Sequence, residues 1–239
     1  AGFLAQGGDA EAAEALYDEI SQREDLTSAE YFQIGIGFFN TGDYARAAEA
    51  FQQAAEQNPY SRDALLNLVQ SLYSQAVEIE ELEPSAERDQ ELAEIYDDLL
   101  AAAEQVRAYD PLNRNLLSFM LRSLRGQADI ADEQEAQELT RRTQELYRTY
   151  QQQPYEVTSI SVTARGDSQT MISGQLRNLT GNPGDEVQLQ FSLVDVDGNV
   201  LGSSTVTVNA PEQNAAAQFQ TTLDVGADQF AGWMYEVIN

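Results

Sequence analysis

The side chains that carry most enzymatic chemistry are missing from this chain. Its 239 residues include no His and no Cys, and all 13 basic residues are Arg, so Lys is absent as well. A Ser-His-Asp or Cys-His nucleophile needs His, and an ordinary zinc site needs His or Cys. A phosphate-loop lysine and a Schiff base both need Lys. What remains is carboxylates, hydroxyls and guanidinium groups. Forty Asp and Glu are spread through the chain, and no pair stands out by spacing as an acid and base couple. The expectation is a protein without catalytic activity and without a cofactor.

Two short patterns keep some chemical content. Asp195, Asp197 and Asn199 imitate the start of a calcium loop, but Val206 stands where the late bidentate Glu belongs, so a plain hairpin turn is expected instead. Asn178-Leu179-Thr180 matches a glycosylation triplet, a match short enough to arise by chance. No metal site is expected.

Forty acids against 13 Arg give a formal net charge of -27 and a pI near 4.1. Nucleic acid and anionic membrane surfaces are bound mainly through basic side chains, so neither is an expected partner. Basic proteins, cations or simple solvation of the surface remain. No run approaches the roughly 18 apolar residues of a membrane-spanning helix, so no direct membrane insertion is expected. A hydrophobic content of 42% over this length allows two domains with real cores.

The elements that must position any surface are repeats. Between Ser28 and Pro59 one register holds Tyr31, Ile34, Gly35, Phe38, Gly42, Asp43, Tyr44, Ala47, Phe51, Ala54 and Pro59. Small residues allow two helices to approach, aromatic rings fill the space between them, Gly42 ends the first helix and Asp43 caps the second. Pro59 stops the hairpin. This series resembles the tetratricopeptide (TPR) pattern at nearly every signature position. The resemblance implies neighbours about 34 residues away, because one hairpin cannot bury its own apolar face.

Toward the N-terminus, Ala1, Leu4, Gly8, Asp9, Ala13, Tyr17 and Ile20 fall in the same register, which predicts a truncated first repeat whose opening helix begins upstream of Ala1. Residue 1 is thus expected to be a boundary of cleavage or truncation. Toward the C-terminus, Leu65, Leu68 and Leu72 continue the first-helix positions, yet the Gly-Asp turn fails to arrive. An insertion near 77–95 is expected to lengthen both helices past the array, with Tyr96, Leu99, Ala103, Val106 and Pro111 in the second. A third pair places Leu117, Met120, Leu121 and Leu124 on one face, then a turn around Ala128 to Asp132, then a helix from about Glu133 to Gln152. Along that last helix Glu138 is spaced to pair with Arg141 and Arg142.

After Pro154 the period falls to two. Alternating runs are read at Ile160 and Val162, at Met171, Ser173 and Gln175, and at Val187, Leu189, Phe191 and Leu193. Further strands are expected at Val200 to Val208, Ala215 to Leu223 and Phe230 to Ile238. Gly181-Asn182-Pro183-Gly184 and Asp197-Gly198 separate them, the second a strong hairpin signal. The fold class is multidomain α and β. Residues 1–152 form a TPR-like α-hairpin solenoid, and 155–239 form an antiparallel immunoglobulin-like β-sandwich. Phe191-Ser192-Leu193-Val194-Asp195 with Gly174, Leu176 and Asn178 is similar to the FxLYD-type bacterial sandwich domains, with Val194 where that motif has Tyr. That resemblance implies an extracytoplasmic place, in the cell envelope or secreted.

The TPR resemblance also implies a binding groove, lined by each repeat's first helix at positions between those that pack the core. Carried onto this chain, those positions are Phe32, Ile36, Phe39, Asn40, Leu66, Gln70, Tyr73, Ser118, Arg122 and Arg125. An extended peptide or partner helix would lie there, held by aromatic anchors. The competing expectation is that Phe32, Ile36 and Phe39 pack on the protein's own helices. The lack of Lys argues against the Lys-rich clamp for a terminal carboxylate used by chaperone-binding TPRs. Two functions stay open. One is a protein–protein interaction scaffold. The other is a structural subunit that assembles with copies of itself into an extracellular filament or surface array.

Overall fold

The computed structural model describes residue 23 and residues 25–238. The truncated first repeat expected over Ala1 to Ile20 lies outside the described residues. Among those described, six helices precede six strands. The helices are α1 (Ser28–Thr41), α2 (Tyr44–Gln57), α3 (Arg62–Glu80), α4 (Ala86–Tyr109), α5 (Arg114–Ile130) and α6 (Glu133–Gln152). The strands are β1 (Tyr155–Arg165), β2 (Gln169–Asn178), β3 (Glu186–Val194), β4 (Val200–Asn209), β5 (Ala216–Leu223) and β6 (Gly232–Val237). They divide into two compact units, one holding residues up to Glu104 with Phe119–Arg142, the other Gln105–Ser118 with Thr143–Asn239.

In the first unit the hairpin α1–α2 forms as its residues dictate. Thr27 and Glu30 make a reciprocal capping box at the start of α1. The Thr27 backbone N–H, more than its hydroxyl, holds the Glu30 carboxyl below its usual range. Gly42 ends α1 at φ 87°, a left-handed conformation that a side chain would strain. Asp43 follows as the cap of α2, accepting a hydrogen bond from the Arg46 N–H at 3.1 Å. Gly35 is needed for close approach, because a Cβ there would stand 2.7 Å from the Phe51 ring. Phe51, Ala47 and Ala54 are fully buried around it. Burying a ring of that size contributes about 2–3 kcal/mol.

The next pair is longer, 19 residues in α3 and 24 in α4 against 14 in each of α1 and α2. The extension is not a bare projection. Ile79, Leu92, Ile95 and Tyr96 are buried, and α5 supplies cover. The Gly126 position leaves room for the Tyr96 ring, and the Ser123 hydroxyl donates to the Tyr96 carbonyl. The connecting turn carries an exposed large apolar side chain, Leu82. The expected turn from Ala128 to Asp132 is shorter than predicted: α5 continues to Ile130, and Asp132 caps α6 through the Gln134 and Glu135 N–H groups.

The second unit contains two three-stranded antiparallel sheets, ordered β1-β2-β5 and β4-β3-β6. Their inner faces share one core, in which Val157, Ile172, Leu176 and Phe219 meet Leu189, Phe191, Leu193 and Tyr235. One phase differs from expectation. In β2 the buried set is Thr170, Ile172, Gly174, Leu176 and Asn178, and Met171, Ser173 and Gln175 point the other way. A one-residue bulge in β1 between Thr158 and Ser161, with Ser159 at φ 54°, brings Ile160 and Val162 onto the core side with Val157.

This unit also draws in the turn between α4 and α5. Tyr235 Oη donates to the buried Asp110 carboxylate at 2.7 Å and accepts from the Leu112 N–H at 3.0 Å. Gln153 Nε2 bridges the carbonyls of Leu112 and Tyr155 at 3.0 and 2.8 Å. The helices end at Gln152 and the sheets begin at Tyr155, but packing joins Gln105–Ser118 to the strands.

Candidate protein-binding face

The predicted groove residues recur at i, i+4 and i+7 on the first helix of each pair, which places each set on one helical face. On α1 these are Phe32, Ile36, Phe39 and Asn40, on α3 Leu66, Gln70 and Tyr73, and on α5 Ser118, Arg122 and Arg125. None of the ten is fully buried. Asn40 and Arg125 are exposed, as is Ser118, which belongs to the second unit.

Internal contacts engage several of them. Phe32 meets Phe51 edge-on with ring centroids 5.6 Å apart, and Phe39 meets Tyr44 the same way at 5.2 Å. Tyr73 of α3 meets Phe119 of α5 at 5.3 Å, so these two first helices lie side by side. Such edge-on pairs hold rings in place while leaving part of each ring open. Gln70 Nε2 donates to the Ser74 hydroxyl at 3.5 Å. Ile36 and Leu66 are half-buried and apolar.

Arg122 is engaged in an ion pair with Glu80 of α3, and Arg125 is the more exposed cation of this set. The other oxygen of Glu80 accepts from the Tyr96 hydroxyl. Burial, and then that hydrogen bond to a carboxylate, push the Tyr96 phenol well above its usual range. Tyr96 is thereby held neutral and donating. Sequence reasoning placed Tyr96 in the core and Arg122 in the groove, and it missed that Glu80 joins them.

The two short chemical patterns resolve as structure. Asp195 accepts from the N–H groups of Asp197 and Asn199 at 3.0 and 2.8 Å and from Asn199 Nδ2 at 2.9 Å, closing the β3–β4 turn. These bonds, that from the Asn199 side chain foremost, hold the Asp195 carboxyl low. Asn178 is fully buried. Its amide donates to the carbonyls of Gly181 and Pro211, and its oxygen accepts from the Gly181 N–H, so it is no acceptor for a glycan. Among the described residues no three acidic side chains gather as metal ligands.

No protein-family model matches the chain. No curated protein matches it either. Several solved structures are similar to part of it. A double mutant of MamA RS-1 is 18% identical over 61% of this chain and 89% of its own, with a TM-score of 0.34. MamA (41-end) from Desulfovibrio magneticus RS-1 is 17% identical over 61% and 90%, with a TM-score of 0.30. The alkylpurine DNA glycosylase AlkC of Pseudomonas fluorescens is 10% identical over 90% and 73%, with a TM-score of 0.21. Likenesses at these scores do not bear on what this chain binds.

Proposed function

We propose that this chain is a non-enzymatic protein–protein interaction scaffold whose face on α1, α3 and α5 holds a segment of another polypeptide. The observation that carries the reading is a row of half-buried apolar side chains on successive first helices. Phe32, Phe39 and Tyr73 are braced from behind by rings, with Ile36 and Leu66 among them. Rigid, partly exposed aromatic and aliphatic anchors are the composition of binding hot spots. TPR-like stacking of the hairpins supports the reading, since it aligns first helices into a shared surface.

The sandwich serves in this reading as a docking or spacing module. Its order, β1-β2-β5 against β4-β3-β6, supports an immunoglobulin-like layout, following strands A-B-E against C′-C-F. With the similarity to FxLYD-type domains, this motivates an extracytoplasmic place for the protein.

One observation favours self-assembly as a second reading. Val196, Val200 and Leu201 are exposed at the β3–β4 hairpin, and β4 is an edge strand, a place where a second chain can add.

Photo-crosslinking separates the readings. A benzoylphenylalanine residue is placed at Ile36, Leu66 or Val200, with Gln52 on the exposed side of α2 as control. Adducts of one discrete mass from Ile36 and Leu66 but not from Gln52 are expected. Adducts only at Val200, at twice the chain mass, would move the function to self-assembly, and equal labelling at all four positions would discard both readings.

A further inference from the structure

A second groove lies in the helical unit, apart from the face on the first helices. The N-terminal half of α4 forms one wall with a ridge at Asp89, Ala93 and Asp97, spaced i, i+4 and i+8. The start of α6 forms the other with Glu135 and Leu139, and Ile130 at the end of α5 with Ala131 in the following turn closes the floor. The cavity measures about 350 Å³. Its floor is apolar and small, with Leu139 buried and Ala93, Ile130 and Ala131 half-buried. Its rim is acidic, with Arg142 at one end; Arg88 pairs with Asp89, and the Gln127 amide donates to Asp97 within the lining.

The shape suits a helix. From Asp89 to Asp97 the ridge runs about 12 Å, two turns of α-helix. Ala93 and Ala131 in the lining allow a backbone to approach as helices do when ridges enter grooves. The charge selects the kind of helix. Between Glu78 and Asp98 the sequence has ten carboxylates and one arginine, Arg88. Of these, Asp89 is paired with Arg88 and Glu80 with Arg122, and the remaining acids outnumber the cations near them.

We infer that this groove docks a cationic amphipathic helix of a partner protein, its apolar stripe on Ala93, Ile130 and Leu139 and its Lys or Arg side chains against Asp89, Asp97 and Glu135. A second copy of this chain is disfavoured as occupant, because its own net charge of -27 opposes approach. The inference extends the protein-binding reading to another surface and names the partner's chemistry. It stands or falls by residues that the α1–α3–α5 face does not use.

Its test is fluorescence anisotropy with the full chain at roughly 0.15 M salt. The probe is a Leu and Lys peptide of about 18 residues with an apolar stripe at helical spacing, compared with a scrambled peptide of the same composition. The striped peptide is expected to bind about tenfold more tightly than the scrambled one. Ala93→Gln or Ala131→Gln, which fill the groove without changing charge, are expected to remove that difference and leave scrambled binding unchanged. The combination Asp89→Asn with Glu135→Gln should weaken the striped peptide and flatten its salt dependence. Equal binding of the two peptides would overturn the inference and leave the acids as a solvated polyanionic surface. So would a preference for the striped peptide that survives both alanine substitutions. Crosslinking at Ile36 and Leu66 would be unaffected by either result.

Discussion

Two junctions in the helical unit seat an aromatic ring on a glycine, and they differ in what surrounds the ring. Inside the first hairpin Phe51 lies on Gly35 among Ala47, Ala54 and Phe38, with no polar atom to satisfy. Between α4 and α5 Tyr96 lies on Gly126, and its hydroxyl draws Glu80 and then Arg122 into a chain that crosses three helices. The first junction closes a hairpin on itself, and the second ties one hairpin to the next. Apolar contact tolerates small errors of register, whereas a hydrogen-bonded chain of partly buried groups is satisfied in one arrangement only. The difference suggests a division of labour that can be tested: burial stabilises at the dry junction, and geometry is selected at the polar one.

The contrast can be broken most forcefully at Phe51. Its ring is fully buried, so Phe51→Ala should destabilise the helical unit by about 4 kcal/mol through lost transfer and the cavity left behind. Urea unfolding followed by helical circular dichroism would read this as a fall in midpoint, and a loss under about 1 kcal/mol would show that the site collapses without penalty.

At the polar junction the expected effect is smaller and its sign depends on what is changed together. Glu80→Met leaves the Tyr96 hydroxyl and Arg122 without their acceptor and should cost about 2 kcal/mol. Adding Tyr96→Phe removes the stranded donor, and because Arg122 can reach water, the double variant should return to within about 1 kcal/mol of the natural chain. A double variant no better than Glu80→Met alone would mean that the hydroxyl is not what needs Glu80. If instead it regains stability but populates more than one arrangement, seen as broadened methyl resonances, the specificity role is supported.

The same contrast explains what could be read from residues alone. The first hairpin was legible because its cap, its glycine turn and its ring-bearing positions follow one another within a single repeat, each with a local physical role. The groove positions came from the TPR resemblance and not from the residues by themselves. The Glu80 contacts were not legible: they span 16 residues to Tyr96 and 42 to Arg122, and in a chain with 40 acids nothing marks one Glu as a partner. In the sandwich, β3 was read in the correct phase from Val187, Leu189, Phe191 and Leu193, whose contrast with their polar neighbours is strong. For β2 the phase was inverted, because Thr, Ser, Gly and Gln alternate there with little contrast and Met171 on the outer face outweighed Ile172 on the inner.

The smallest expected effect lies on the outer side of α4, where the extension's charge meets partial burial. Asp98 has its carboxyl raised by burial, then by Asp97 and Glu94, so its ionised form opposes folding. A carboxyl whose folded pKa exceeds its unfolded value lowers stability most above the folded pKa, and the penalty disappears below the unfolded pKa. Asp98→Asn should therefore raise the melting temperature at neutral pH, by at most about 1 °C because water screens an exposed site. That advantage should shrink as pH falls through the raised pKa toward the ordinary aspartate value of about 3.9, since the natural chain then takes up the proton itself. Melting curves of both chains across that window give the check. An advantage independent of pH would assign the gain to side-chain preference in the helix, and a loss at neutral pH would show that Asp98 has a stabilising partner in solution.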